Sequence, residues 1–301
     1  MWTGRTRGRL RRGRLGRSTI GRTDVEEGTD VVERGQGPDF IEALARGLHV
    51  LRSFSVDRPI MSLAEVATRT DLARPTARRI LLTLEELGYV RSGRSGYVLT
   101  PRVLELGMAY IGALDLWDMA RPHLEGLVAA TGESSSMAQL DGSDIVYVAR
   151  VAVPKLISLR VDIGTRFPAM VTSQGRALLS AMDRAAVHQR LAEPSRSGIA
   201  AKPYTSNEID ELLDQTAERG WALADQDLAP GVRSIAVPVR DGRGVARAAM
   251  NITVHAAETP VEVLTSDYLP LLLAAAERIS ADWSAWQRRP IHQASRTSPP
   301  R

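Results

Sequence analysis

Cysteine is absent from the 301 residues. That excludes disulfides, thiolate zinc sites, iron–sulfur clusters and a cysteine nucleophile, and it is compatible with a reducing cytoplasm. Long apolar runs are absent too: none approaches the roughly 18–20 residues a membrane span needs, so no membrane partner is expected. The arginine-rich start, Met1–Arg22, is followed by no apolar segment and lacks the form of a secretory signal. Enzyme signatures are missing: there is no G-x-S-x-G elbow, no phosphate loop ending in Gly-Lys-Ser/Thr and no H-E-x-x-H pair. The five histidines (His49, His123, His188, His255 and His292) are scattered without metal-ligand spacing and read as packing or surface residues. No catalytic residue, cofactor or metal is expected.

What is present is otherwise ordinary. The length is about twice that of a typical domain, and 44% apolar with 25% charged residues suits a folded chain. The formal charge is +4, yet the basicity sits at the ends. Met1–Arg22 holds eight arginines and Arg288–Arg301 four, with no acid in either. Between them 27 basic residues face 35 acidic ones, a net of −8. Thr23–Gly37 is −4, Pro38–Thr100 is +2 and Pro101–Gln287 is −6. A phosphate-binding surface is therefore expected in the first third of the chain.

Residues 1–37, Arg/Gly-rich and then acidic, hold too few large apolar groups to offset their ordering entropy and are expected to be disordered. They read as an inert leader or, alternatively, as a loose basic arm on DNA. Residues 288–301 read as a frayed tail. Helical spacing begins at Ile41, Leu44, Leu48 and Leu51, with Ala45 beside them. Ser62-Leu63-Ala64-Glu65 is a capping box opening a short helix, and Thr70-Asp71-Leu72-Ala73 is a turn. A second helix follows, with Pro75 in its first turn and Gly88 at a left-handed cap; it buries Ile80, Leu81, Leu84 and Leu87. Tyr89–Arg91, a glycine turn and Tyr97–Leu99 read as a hairpin. Thr100–Leu114 and Leu116–Ala130 look helical. After Gly132, β-like runs appear at Ser135–Leu140, Ile145–Val151, Leu156–Val161, Ala222–Ala224, Ser234–Val239 and Val245–Val254. Asp141-Gly142 and Asp241-Gly242 mark tight turns. Helices are expected at Ser173–Met182, Arg184–Leu191, Ser206–Arg219 and Pro260–Trp286, the third opened by a Thr205/Glu208 capping box. The carboxylates of Ser206–Arg219 surround one apolar stripe and read as a solvated face. The fold class is α+β. The expected domains are a DNA-binding unit at 38–100, a linker helix at 101–115 and an effector-binding unit at 116–287, whose mainly antiparallel sheet is flanked by helices.

Two short helices across a tight turn, then a hairpin, form a winged helix-turn-helix, whose second helix enters the major groove while the wing lies along the backbone or minor groove. With Ile80, Leu81 and Leu84 inward, the outer face holds Arg74, Thr76, Arg78 and Arg79, with Thr83 near its end. Arginine reads guanine edges bidentately and clamps phosphate, and threonine suits phosphate or a thymine methyl. Arg91 and Arg94 flank the wing, and Ser62 at the start of the first helix joins the DNA-binding candidates. The competing reading is a small helical subdomain with a solvated arginine face. A second informative stretch runs from Asp162 to Leu179: a loop with Gly164 and Pro168 leads into a helix whose first turn offers Thr172, Ser173 and free backbone donors. Such a start either binds carboxylate or phosphate or is a simple cap.

Taken together these segments resemble the IclR family of bacterial transcription regulators over roughly Asp39–Trp286. Leu63-Ala64-Glu65-Val66-Ala67, Arg79-Ile80-Leu81, Leu87-Gly88-Tyr89-Val90, Tyr97-Val98-Leu99 and Leu106-Gly107 are similar to its winged helix. Gly164–Leu179, Arg219-Gly220-Trp221-Ala222 and Ile235-Ala236-Val237-Pro238-Val239 are similar to its effector domain. Phe40–Leu48, Asp144–Val151, Gly164–Ala169, Thr172–Arg176 and Asp225-Gln226-Asp227 match best the branch of β-ketoadipate pathway regulators, which usually carries Met where this chain has Gln174. The resemblance implies a GAF-like effector domain, a double-stranded DNA operator, homodimers pairing to tetramers, and a small organic acid as effector. The acid expected is of the 4-hydroxybenzoate, protocatechuate or β-ketoadipate class. Carried over by motif, the pocket would be lined by Leu156, Leu159, Phe167, Ser173, Gln174, Asp225, Val232, Ser234, Asn251 and Thr253. Ser173, the helix-start amides and Arg160 or Arg176 are the candidate carboxylate partners, with Asn251 and Thr253 at the far end. The alternatives are an enzyme acting on a small organic acid and a ligand-free structural DNA-binding protein.

Overall fold

The computed structural model describes residues 37–107, 116–154, 161–200 and 202–288. The expected leader and tail, apart from Gly37 and Arg288, lie outside the described residues, as do 108–115 of the expected linker helix and 156–160 of one expected strand.

The N-terminal part is built from α1 (Glu42–Ser53), β1 (Ile60–Met61), α2 (Leu63–Arg69), α3 (Arg74–Glu86), β2 (Val90–Gly93) and β3 (Gly96–Leu99). The capping box forms as expected, with Ser62 Oγ accepting from the Glu65 amide and Glu65 accepting from the Ser62 amide. Asp71 carries the turn between α2 and α3 in the left-handed region at φ 50°, a conformation Asp tolerates better than most residues. Gly88 caps α3 at φ 80°. Val66, Ala67, Ala77, Leu81 and Leu84 close a small core with Val50, Phe54 and Met61. Two sequence expectations are corrected. Leu87 is half exposed, because α3 ends one residue earlier than the periodicity suggests. On α1, Ile41, Leu44 and Leu48 face outward; Val50 and Phe54 are the residues buried against the core. A heptad-like spacing identifies an apolar stripe but not which neighbour covers it. Strand β1, two residues long, pairs with β3 and makes a three-stranded sheet in the order β1-β3-β2. Its brevity hid it from periodicity.

The C-terminal part begins with α4 (Leu116–Thr131) and a six-stranded antiparallel sheet in the order β6-β5-β4-β9-β8-β7. Its strands are β4 (Ser134–Asp141), β5 (Asp144–Val151), β6 (Arg166–Pro168), β7 (Ala222–Asp225), β8 (Val232–Arg240) and β9 (Ala246–His255). Between β6 and β7 lie a 3-10 turn (Ala169–Val171), α5 (Ser173–Leu179), α6 (Arg184–Leu191) and α7 (Ser206–Arg219). The last helix, α9 (Leu269–Gln287), follows a short α8 (Val261–Val263) and a wide turn at Leu264–Tyr268, where Pro270 has no amide to donate to the preceding turn. One face of the sheet is mainly apolar: Met137, Ala149, Ile235, Val237, Met250, Ile252 and Val254 bury against Leu116, Leu124, Leu272, Ile279 and Trp283 of α4 and α9. The other face meets α5. Val148 has no partner in the pairing of β5 with β4, so the register slips there and the alternation of β5 inverts. Tyr147 and Arg150 consequently share a face, although three positions apart.

Helix α5 is shorter than expected and wholly buried. A Cβ at Gly175 would lie 2.1 Å from the carbonyl oxygen of Ala169, so only glycine lets α5 sit on the 3-10 turn. Gly175→Ala should therefore lower stability by about 1–3 kcal/mol through forced displacement of α5. Denaturant melts of both proteins check this, with an unchanged midpoint counting against the close approach.

Candidate functional site

Two surfaces carry functional chemistry. On α3, Arg74, Arg78, Arg79 and Thr83 are exposed and Thr76 is half-buried, while Ala77, Leu81 and Leu84 anchor the opposite side. The Thr83 hydroxyl donates to the Arg79 carbonyl at 3.0 Å, which leaves its methyl and lone pairs outward. Arg91 and Arg94 are exposed on the hairpin. None of Arg74, Arg78, Arg79, Arg91 and Arg94 has an ion-pair partner among the described residues, so their charge is available to an anionic backbone. Ser62 stands at the start of α2 with its hydroxyl engaged in the capping box. Sequence reasoning missed Glu85, the tie between helix and wing. Its carboxylate accepts from the Ser92 amide at 2.8 Å and from the Ser92 hydroxyl, and these bonds hold it below the usual carboxylate range.

The second surface is a cleft of about 510 Å³, mouth included, between the polar face of the sheet and α5. It is lined by six of the expected residues: Ser173, Gln174, Val232, Ser234, Asn251 and Thr253. Tyr147, Arg150 and Thr172 line it as well, with Val161, Val171, Ala224 and Leu228 as apolar wall. Strand pairing sets Arg150, Ser136 and Asn251 side by side on β5, β4 and β9, and Thr253 opposite Ser234. The Ser173 and Ser234 hydroxyls bond each other at 2.8 Å, and the Asn251 amide reaches Thr253 Oγ1 at 2.9 Å. No carboxylate lines the cleft among the described residues.

The remaining expected pocket residues fall elsewhere. Phe167 is buried behind the wall, edge-on to the Tyr147 ring at 5.8 Å. Asp225 is held away by Arg233, whose Nε and Nη2 donate to its two oxygens at 2.8 and 2.9 Å; these bonds lower its pKa. Leu156, Leu159 and Arg160 lie outside the described residues. Arg176, an expected carboxylate partner, is already engaged: it donates to the Met170 and Leu223 carbonyls and to Tyr204 Oη, and pairs with Asp227 at 3.1 Å. At the start of α5 the Gly175 amide is taken up by Thr172 Oγ1 at 3.0 Å. Arg150 escaped sequence reasoning because strict alternation along β5 puts it on the face opposite Tyr147.

Comparison with known proteins fits this geometry. The model of the IclR helix-turn-helix domain matches residues 43–93, and that of the bacterial transcriptional regulator IclR C-terminal domain matches residues 108–281. The chain belongs to the IclR family of bacterial transcriptional regulators. It is 38% identical to the Pca regulon regulatory protein of Pseudomonas putida over 79% of this chain and 83% of that one. It is 33% identical to the p-hydroxybenzoate hydroxylase transcriptional activator of Acinetobacter baylyi, over 80% of this chain and 91% of that one. A solved structure described as a transcriptional regulator from Rhodococcus sp. RHA1 superposes with a TM-score of 0.72 at 41% identity, covering 82% of this chain and all of that one. The relatives are regulators, not enzymes. No helix among the described residues is long and apolar enough to cross a membrane.

For a DNA-binding regulator of this family, replacing Arg78 and Arg79 together by alanine should weaken specific binding by roughly 1–3 kcal/mol per lost base contact. Arg94→Ala should weaken specific and non-specific DNA alike and flatten the salt dependence. Fluorescence anisotropy across a salt series distinguishes them; an Arg78/Arg79 variant that binds operator as tightly as the parent would remove α3 as the reading element.

Proposed function

We propose that this regulator controls genes for aromatic-compound degradation in response to a small carboxylate of the 4-hydroxybenzoate, protocatechuate or β-ketoadipate class. In this reading residues 38–100 engage the operator, residues 116–287 hold the effector, and 101–115 join them. The observation that carries it is the charge of the cleft. A single guanidinium and several hydroxyl and amide groups face it, with no acid among the described lining residues, so an anion with further polar groups is the complementary occupant. The relatives named for the Pca regulon and for p-hydroxybenzoate hydroxylase support the aromatic class.

The protein works as a homodimer or a dimer of dimers. Exposed Phe40, Ile41, Leu44 and Leu48 support self-association, since a row of large apolar groups is costly to leave in water.

Thermal-shift titration of the full chain with 4-hydroxybenzoate, protocatechuate and β-ketoadipate tests the proposal. A true effector at a hundred times its dissociation constant adds about 2.7 kcal/mol to stability. It should also change the mobility shift of DNA taken from upstream of the neighbouring genes. If none of the three acids moves the melting temperature or the DNA complex, the effector class is wrong.

A further inference from the structure

The polar side of the sheet contains hydrogen-bonding capacity that no described residue takes up. Arg150 donates from Nη1 to Ser136 Oγ at 3.0 Å, but its Nε is buried with no partner. No ion pair to Arg150 occurs among the described residues; Asp162 acts on it only at longer range. Burial, the largest influence, pushes the guanidinium's pKa down, as a cation short of partners requires. Gln174 is almost wholly buried, and its Nε2 donates to the carbonyls of Ser136 and Ala249, both at 3.3 Å. Carbonyl oxygens only accept, so the orientation of this amide is fixed, and Oε1 is the atom turned away from those two carbonyls. Oε1 is buried and unpartnered, as is Asn251 Oδ1. All three residues line the same cleft.

A buried cation and buried acceptors left open are costly unless something completes them. We infer that Arg150 anchors the carboxylate of the effector and that Gln174 Oε1 accepts a hydrogen bond from an effector hydroxyl, so the cleft selects hydroxylated acids over acids without the hydroxyl and over neutral hydroxyl compounds. The inference rests on the effector-binding reading of this cleft. It adds what that reading leaves open: which residue holds the anion, and why a hydroxyl matters. Arg176 is engaged elsewhere and is not among the residues lining the cleft, which leaves Arg150 as the cation of this wall among the described residues. The bulge at Val148 turns Arg150 to the polar face, next to Ser136 and on the side of Tyr147. Asn251 adds a second acceptor or donor, because its hydroxyl partner Thr253 can take either role.

Isothermal titration of the full chain with 4-hydroxybenzoate, benzoate, 4-hydroxybenzyl alcohol and lactate separates the parts. The wild type should bind 4-hydroxybenzoate at least about tenfold more tightly than benzoate or the alcohol, the scale of one charge-assisted or otherwise unsatisfied hydrogen bond. Arg150→Gln should abolish the preference for acid over alcohol, and Gln174→Leu the preference for 4-hydroxybenzoate over benzoate. Arg150→Lys, which keeps the cation, should retain the acid preference and guards against an Arg150→Gln variant that fails to fold, a point its melting curve reports. Equal affinity of Arg150→Gln and wild type for 4-hydroxybenzoate overturns the inference and leaves the effector reading standing. Arg150-dependent binding of lactate with none of the aromatic acid sinks the aromatic reading and sustains the inference. Failure of all four probes on the wild type overturns both.

Discussion

A sheet buried on both faces can keep polar side chains on one of them only if every hydrogen-bonding group finds a partner. In this protein the face against α4 and α9 meets that condition by being mainly apolar, with the buried Ser135 hydroxyl donating to the Asn251 carbonyl. The opposite face carries Ser136, Arg150, Ser234, Asn251 and Thr253, and its geometry follows from how they are satisfied. Ser173 reaches Ser234, Gln174 spans two backbone carbonyls and Arg176 binds two more, so α5 is fixed by polar contacts as much as by Ala177, Leu178 and Leu179. The groups left over, Arg150 Nε, Gln174 Oε1 and Asn251 Oδ1, belong to residues that line the cleft. Gly175 is part of the same constraint, since any side chain there would lift α5 off the 3-10 turn.

The winged helix follows a different economy. Its core is small, and three of its outward arginines are carried by one helix whose inner side is held by Ala77, Leu81 and Leu84. Backbone devices set its shape: the capping box of α2, the left-handed Asp71 and the Gly88 cap. Glu85 then connects reading helix and wing through Ser92. A carboxylate beside an otherwise basic surface is tolerated because it is consumed by those two hydrogen bonds, which also hold its pKa down.

Much of this was legible in the chain before any coordinates. Both capping boxes, at Ser62/Glu65 and Thr205/Glu208, form, because the motif is a local exchange between side chain and backbone three residues apart. The two short helices, the hairpin and the principal antiparallel strands also stand close to their expected positions. Strands β1 and β6, of two and three residues, were not legible, being too short to show alternation. The outward turn of Ile41, Leu44 and Leu48 was missed because periodicity locates an apolar stripe without saying what covers it.

The sequence by itself determined the composition of both surfaces: an arginine-rich second helix, and a set of Ser, Thr and Asn residues on strands that would otherwise read as core. Tertiary structure alone decided which of the candidates meet. Phe167 and Asp225 match a family pattern, yet one packs edge-on to Tyr147 and the other is engaged by Arg233. Arg176 was chemically as plausible an anion partner as Arg150, and only the positions of Met170, Leu223, Tyr204 and Asp227 show that it is already consumed. Arg150 reaches the cleft because Val148 is an extra residue in the pairing of β5 with β4. Register between strands is a long-range property, fixed by packing on both faces at once, and no local spacing encodes it.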